Sequence, residues 1–250
     1  MGKREHMDEI LRNWPYVPGS VMARRVSGSD GREVVQMRVE MGVLQMEIEG
    51  RPDGERPEGA ETYFDYLLRL VMHEGEDFEL TEEQCDEVDR EFVQFYHRRV
   101  CWLALREFRR AQRDADHTLA LMDLTSAHAS DEQWILSHEQ YRPFVMFHRT
   151  QAAALAQVEE TGPEAAIDEI DAGLKRFQEL YAQYEAEDYF DEDELVSRLV
   201  ELRESIREHY GIGPTLAEEL AEAIAAEEYE RAAQLRDEIA RKKPKQRRNV

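Results

Sequence analysis

From Thr81 nearly to its end the chain repeats apolar residues at helical spacing, and this restricts what it can fold into more than any other feature. Val88, Phe92 and Phe95, then Phe108, Ala111 and Ala115, stand three and four apart with polar residues between them, the stripe one helix turns towards another. Helix starts are marked as well. Thr81 with Gln84, Ser130 with Gln133, and Thr161 with Glu164 each place a hydroxyl three residues before an acid or amide, the spacing of a capping box. A scaffold of packed helices is expected over residues 81–210.

Two of its segments, "LREFRRAQRDADHTL" (Leu105 to Leu119) and "GPEAAIDEIDAGL" (Gly162 to Leu174), resemble each other and look like tetratricopeptide helices, with alanines where neighbours approach closely. Aligning Ala111 with Ala166 gives a period of 55, against about 34 for that repeat. The centre is therefore expected to be a degenerate helical repeat or a plain helical bundle. "EAEDYFDED", Glu185 to Asp193, interrupts it but lacks the glycine and spacing of an EF-hand loop. Leu195, Leu199, Leu202 and Ile206 follow as a short seam.

Residues 1–80 read differently. Between Val21 and Ile48 the period is close to two: Met37, Val39 and Met41 alternate with Gln36, Arg38 and Glu40, and Leu44, Met46 and Ile48 with Gln45, Glu47 and Glu49. This is a small antiparallel meander, turning at "SDG" (Ser29 to Gly31) and again at Gly42. The segment "EGRPDGERPEGAE" that follows is a loop. Arg51, Asp53 and Arg56 are its candidates for a ligand or partner site, and the plainer alternative is a structured crossover whose prolines and glycines set its turns. Helical spacing returns from Tyr63 to Met72.

Composition excludes several functions. The formal net charge of −23 opposes general nucleic-acid binding, although six of the last ten residues, 241–250, are basic, so a polyanion contact is expected only at that end, of which residues 244–250 form the basic tail beyond the last expected helix. Cys85 and Cys101 form no CxxC pair, which excludes a zinc ribbon and favours two free thiols in a reducing compartment. No apolar run approaches the roughly 18 residues of a membrane span, and the first residues lack a signal peptide's apolar core; a cytoplasmic protein without membrane contact is expected. Phosphate-binding, nucleophile-elbow and HExxH motifs are missing, and His117, His128, His138 and His148 would ligate metal only if four helices converged. No catalytic residue, metal or cofactor is expected, and the chain is read as not an enzyme.

The C-terminal stretch "GIGPTLAEELAEAIAAEEYERAAQLRDEIARKK" opens with a further capping box, Thr215 with Glu218. Leu216, Leu220, Ala223 and Ile224 form one apolar stripe, and Tyr229, Ala232, Ala233, Leu235 and Ile239 a second. By period alone this is a single helix of about 28 residues. Its residues, through Leu216, Leu220, Glu228, Tyr229, Glu230, Ala232, Ala233, Leu235, Arg236, Asp237 and Ile239, resemble the UVR motif found in UvrB, in UvrC and in regulators of the Clp protease system. The resemblance implies a helical hairpin over residues 211–243, turning just before Tyr229. Ala232 and Ala233 would let its helices approach, Tyr229, Leu235 and Ile239 would cover the apolar side, and Arg236 and Asp237 would supply polar contacts. It further implies pairing with another protein, including one bearing the same kind of hairpin, and a link to excision repair or Clp protease regulation. The expected molecule is a mainly α adaptor: N-terminal meander, TPR-like scaffold, UVR hairpin and basic tail. The alternative is a weak nucleic-acid-associated repair accessory acting through the tail.

Overall fold

The computed structural model describes residues 7–75 and 78–242; the expected basic tail lies outside them. The fold is mainly α with one small sheet. Chain order is α1 (Asp8–Asn13), β1 (Met22–Ser27), β2 (Glu33–Val39), β3 (Gly42–Glu47), α2 (Tyr63–Glu74), α3 (Glu82–Ala104), α4 (Phe108–His128), α5 (Glu132–Glu139), α6 (Arg142–Glu160), α7 (Pro163–Gln183), α8 (Glu194–Tyr210), α9 (Leu216–Ala225) and α10 (Tyr229–Lys242). Two compact units are present, one ending at Arg203 and the next beginning at Glu204.

In the first unit the strands form an antiparallel meander in the order β1-β2-β3, with Arg24 opposite Gln36 and Gln36 opposite Gln45. The alternation read from sequence sorts side chains between two faces. On one, Val35 and Met46 pack with Cys101, Trp102 and Ala111 of α3 and α4. On the other, Arg24 donates to Gln36 Oε1 at 2.8 Å and Gln36 donates to Gln45 Oε1 at 2.9 Å, and the Arg24 guanidinium lies 4.2 Å from the centre of the Trp14 ring. The first turn contains Gly31 at φ 83°, where a side chain would be strained. The second bends at Glu40 and Met41, because Val39 pairs directly with Gly42; Gly42 opens β3 rather than making the turn.

Helices α3, α4, α6 and α7 pack as successive neighbours. Small residues set their spacing. Ala152, Ala153, Ala154 and Ala156 are buried on α6, and a Cβ at Gly173 of α7 would stand only 2.6 Å from Thr150 Oγ1. Each fully buried Leu, Ile or Phe here, such as Leu121, Ile167, Ile170 and Phe177, contributes roughly 1.5–3 kcal/mol of burial free energy.

The caps divide. Thr81 and Thr215 make both bonds of the capping box, with Gln84 and Glu218. At α5 the cap is Asp131 rather than Ser130, its carboxylate accepting from the amides of Gln133 and Trp134. At α7 the N-cap is Gly162 without a side-chain bond, and Thr161 instead closes α6. Asp193 receives the amides of Leu195 and Val196 at the start of α8. Cys85 is half-buried and Cys101 buried, both as free thiols. Among the described residues no helix is long and apolar enough to cross a membrane.

Candidate functional site

The C-terminal segment forms a helical hairpin, α9 against α10, as the resemblance implied and periodicity did not. Its turn has a local chemical cause. Glu227 takes φ 59°, its amide donates to Ile224 O at 3.0 Å, and the amide of Glu228 reaches back to Ala223 O at 2.8 Å. These are the two bonds of a Schellman motif, here with Glu227 in the position usually held by glycine. Without Gly or Pro at this point, the sequence carried no turn signal.

The hairpin seam is narrow. Ala223, Ala232 and Leu235 are buried in it, with Leu216 and Leu220 packed against them. Two alanines facing each other bring the backbones close, and Leu235 closes the end towards Leu216 and Leu220. Ile239 is half-buried. Ala233 lies outside the seam, as does Tyr229, which is 69% exposed. Ile224, on the other arm of the turn, is 55% exposed. Arg236 and Asp237 pair with each other at 3.0 Å on the open surface, and Arg207 bonds the Glu218 carboxylate beside the Thr215 cap. The residues assigned by resemblance thus separate into a seam, Ala232 and Leu235, and an outer surface, Tyr229, Ala233, Arg236 and Asp237.

The Arg51 loop is a buried ionic joint. The Arg51 side chain is 1% exposed and donates to Glu87 Oε2 at 2.8 Å, with Asp53 Oδ2 at 3.3 Å and Glu91 Oε2 at 3.6 Å from its Nε. Asp53 also accepts from Gln94 at 2.7 Å and from the amide of Glu55 at 2.9 Å. Arg56 is exposed and makes none of these contacts. Glu91, fully buried, accepts the amides of Tyr63 and Phe64 at 2.7 and 3.0 Å and meets His117 Nε2 at 2.9 Å. A carboxylate at the exposed amides of α2's first turn is favoured by both hydrogen bonding and the helix dipole. Glu91 escaped sequence reasoning, yet it had a signal: it stands three after Val88 and four before Phe95, on the apolar stripe. Arg98 has the same signature. It pairs with both carboxylate oxygens of Asp114, at 2.9 and 2.8 Å, and donates to the carbonyls of Glu47 and Gly50, tying the loop to α3 and α4.

The four spaced histidines have separate partners. His117 meets Glu91, His128 Nδ1 contacts Phe78 O, His138 meets Asp89, and His148 accepts from Arg99. Among the described residues no three His, Cys, Asp or Glu side chains are grouped to hold a metal ion.

Residues 214–243 match the family model of the UvrB/uvrC motif, the stretch that the resemblance had singled out. No curated protein and no solved structure matches the chain.

Proposed function

We propose that this chain is a non-enzymatic adaptor whose α9–α10 hairpin docks on another protein, in excision repair or in regulation of a Clp-type protease. The motif match at residues 214–243 carries the reading, since that motif is known from UvrB, UvrC and related proteins. The division of the hairpin residues supports it. Leu235 and Ala232 hold the helices together, while Tyr229 and Ile224 leave large apolar side chains in water on either side of the turn. An exposed aromatic beside the turn of a small hairpin is the kind of side chain that dominates interface energetics. Arg236 and Asp237 then sit where charges fix register rather than add much affinity.

The test is quantitative capture from native extract with the full-length chain and its Tyr229→Ala and Leu235→Asp variants. A partner bound through the outer surface is expected to be retained roughly 5–30-fold less by Tyr229→Ala, a cost of about 1–2 kcal/mol, with helical content unchanged. Leu235→Asp is expected to remove capture together with the hairpin. Equal recovery by all three forms would defeat the adaptor reading. Steeply salt-dependent binding to duplex DNA, lost on deleting residues 241–250, would favour the alternative in which the tail contacts nucleic acid.

A further inference from the structure

A cleft between α3, α4, α5 and α6 has a floor unlike its walls. Its volume is about 840 Å³, within the range of small-molecule sites. Phe92, Tyr96, Met122, Tyr141 and Phe144 are among the residues that line it, and Arg99 and Thr118 are two of its polar residues, beside Asp89, Ser137 and His138. Arg99 is 2% exposed. Its Nη1 donates to Thr118 Oγ1 at 3.0 Å and its Nε to His148 Nδ1 at 3.3 Å, both uncharged acceptors. Among the described residues no carboxylate forms an ion pair with it. Asp114 acts on it from a distance, but both Asp114 oxygens are engaged by Arg98. The cleft's own carboxylate, Asp89, is held by Trp134 Nε1 and His138 Nε2 at 2.9 Å each.

A guanidinium buried without a counter-charge is costly by several kcal/mol. Burial pushes its pKa down to about 10, against the pull of Asp114, so it stays charged at neutral pH. The remaining nitrogen, Nη2, has no protein acceptor among the described residues. We propose that this cleft binds a small aromatic monocarboxylate, its carboxylate on the free edge of Arg99 and its ring among Phe92, Tyr96 and Phe144. The charge count selects the head group. One guanidinium, with two of its three nitrogens already engaged, neutralises a single negative charge; a phosphate dianion would bring a second charge into an apolar site with nothing to meet it. The walls select the body, because aromatic side chains favour an aromatic ligand by offset and edge contacts.

The experiment titrates the full chain, by calorimetry and by chemical-shift changes, with phenylacetate, indole-3-acetate and 2-naphthoate, and with the amide of each. At least one acid is expected to saturate with a Kd below about 1 mM, its amide binding at least about tenfold more weakly because the lost charge leaves Arg99 unmet. Arg99→Met, which keeps the stem and removes the charge, is expected to abolish the difference between acid and amide. Three results overturn the proposal: no acid saturating by about 10 mM, acid and amide binding alike, or inorganic phosphate displacing the acid at lower concentration than the acid itself requires. The acid and amide comparison is made on the unaltered protein and stands even if Arg99→Met fails to fold.

Discussion

His148 is held with its Nδ1 accepting from Arg99 Nε, an arrangement open only to an imidazole that carries no proton on that nitrogen. The groups acting on it are Arg99 of α3 and Arg198 of α8, both cationic, with Phe144 and Phe147 of its own helix against the ring. Burial first, then the two arginines, push its pKa down to about 3. A histidine lowered in the folded state stabilises the fold above its unfolded pKa of about 6.5. That stability is lost as pH falls from there towards 3, because the unfolded chain gains a proton that the folded chain refuses. The slope is about 1.4 kcal/mol per pH unit, so between pH 7 and 5 this residue alone is expected to remove about 2 kcal/mol from the first unit. Urea unfolding at pH 7, 6 and 5 reads the slope. His148→Gln, which keeps an acceptor for Arg99 and cannot titrate, is expected to flatten it; an unchanged slope in that variant would place the acid sensitivity elsewhere.

At the scale of elements, the hairpin turn rests on a residue that is poorly suited to it. The left-handed conformation of Glu227 costs roughly 1–2 kcal/mol relative to glycine's freedom there, offset in part by the extra entropy glycine gives the unfolded chain. Glu227→Gly is expected to stabilise the hairpin by about 0.5–1 kcal/mol, read as a two- to fivefold slowing of amide exchange in α9 and α10 with the first unit unaltered; faster exchange would show that the Glu227 side chain has a stabilising role of its own. This turn also marks where the sequence ceased to be legible. Strands and helices followed from periods of two and 3.6, and the caps at Thr81 and Thr215 from their spacing. Ser130 lost its place to the neighbouring Asp131, an equally good cap one residue on, and Thr161 was needed to end α6. The α9–α10 turn carries no Gly or Pro and was recoverable only through the likeness of the whole motif. The cleft was less visible still. Arg99 stands seven after Phe92, so its inward position was readable, but its missing counter-charge depends on Arg98 of α3 taking both oxygens of Asp114 on α4, a matter of how two helices meet.

Over the whole molecule 55 acidic side chains face 32 basic ones, and their effects differ in range. Short-range pairs such as Arg98 with Asp114 and Arg51 with Glu91 are buried and little affected by salt, while exposed ones such as Arg109 with Glu160 are screened by water and salt and contribute little. The surplus acids repel one another over distances that salt shortens, from about 30 Å at 0.01 M to about 8 Å at 0.15 M. Screening should therefore relieve more repulsion than it removes attraction. Raising sodium chloride from about 10 to 150 mM is expected to lift the thermal midpoint by roughly 2–4 °C, the equivalent of about 1 kcal/mol for a chain of this size. A fall instead would mean that the exposed arginine pairs act as a network stronger than the sum of separate bridges. The same field bears on the proposed function, since an acidic body discourages polyanions and speeds the approach of a partner whose docking surface is basic; salt that raises the midpoint should then slow that association.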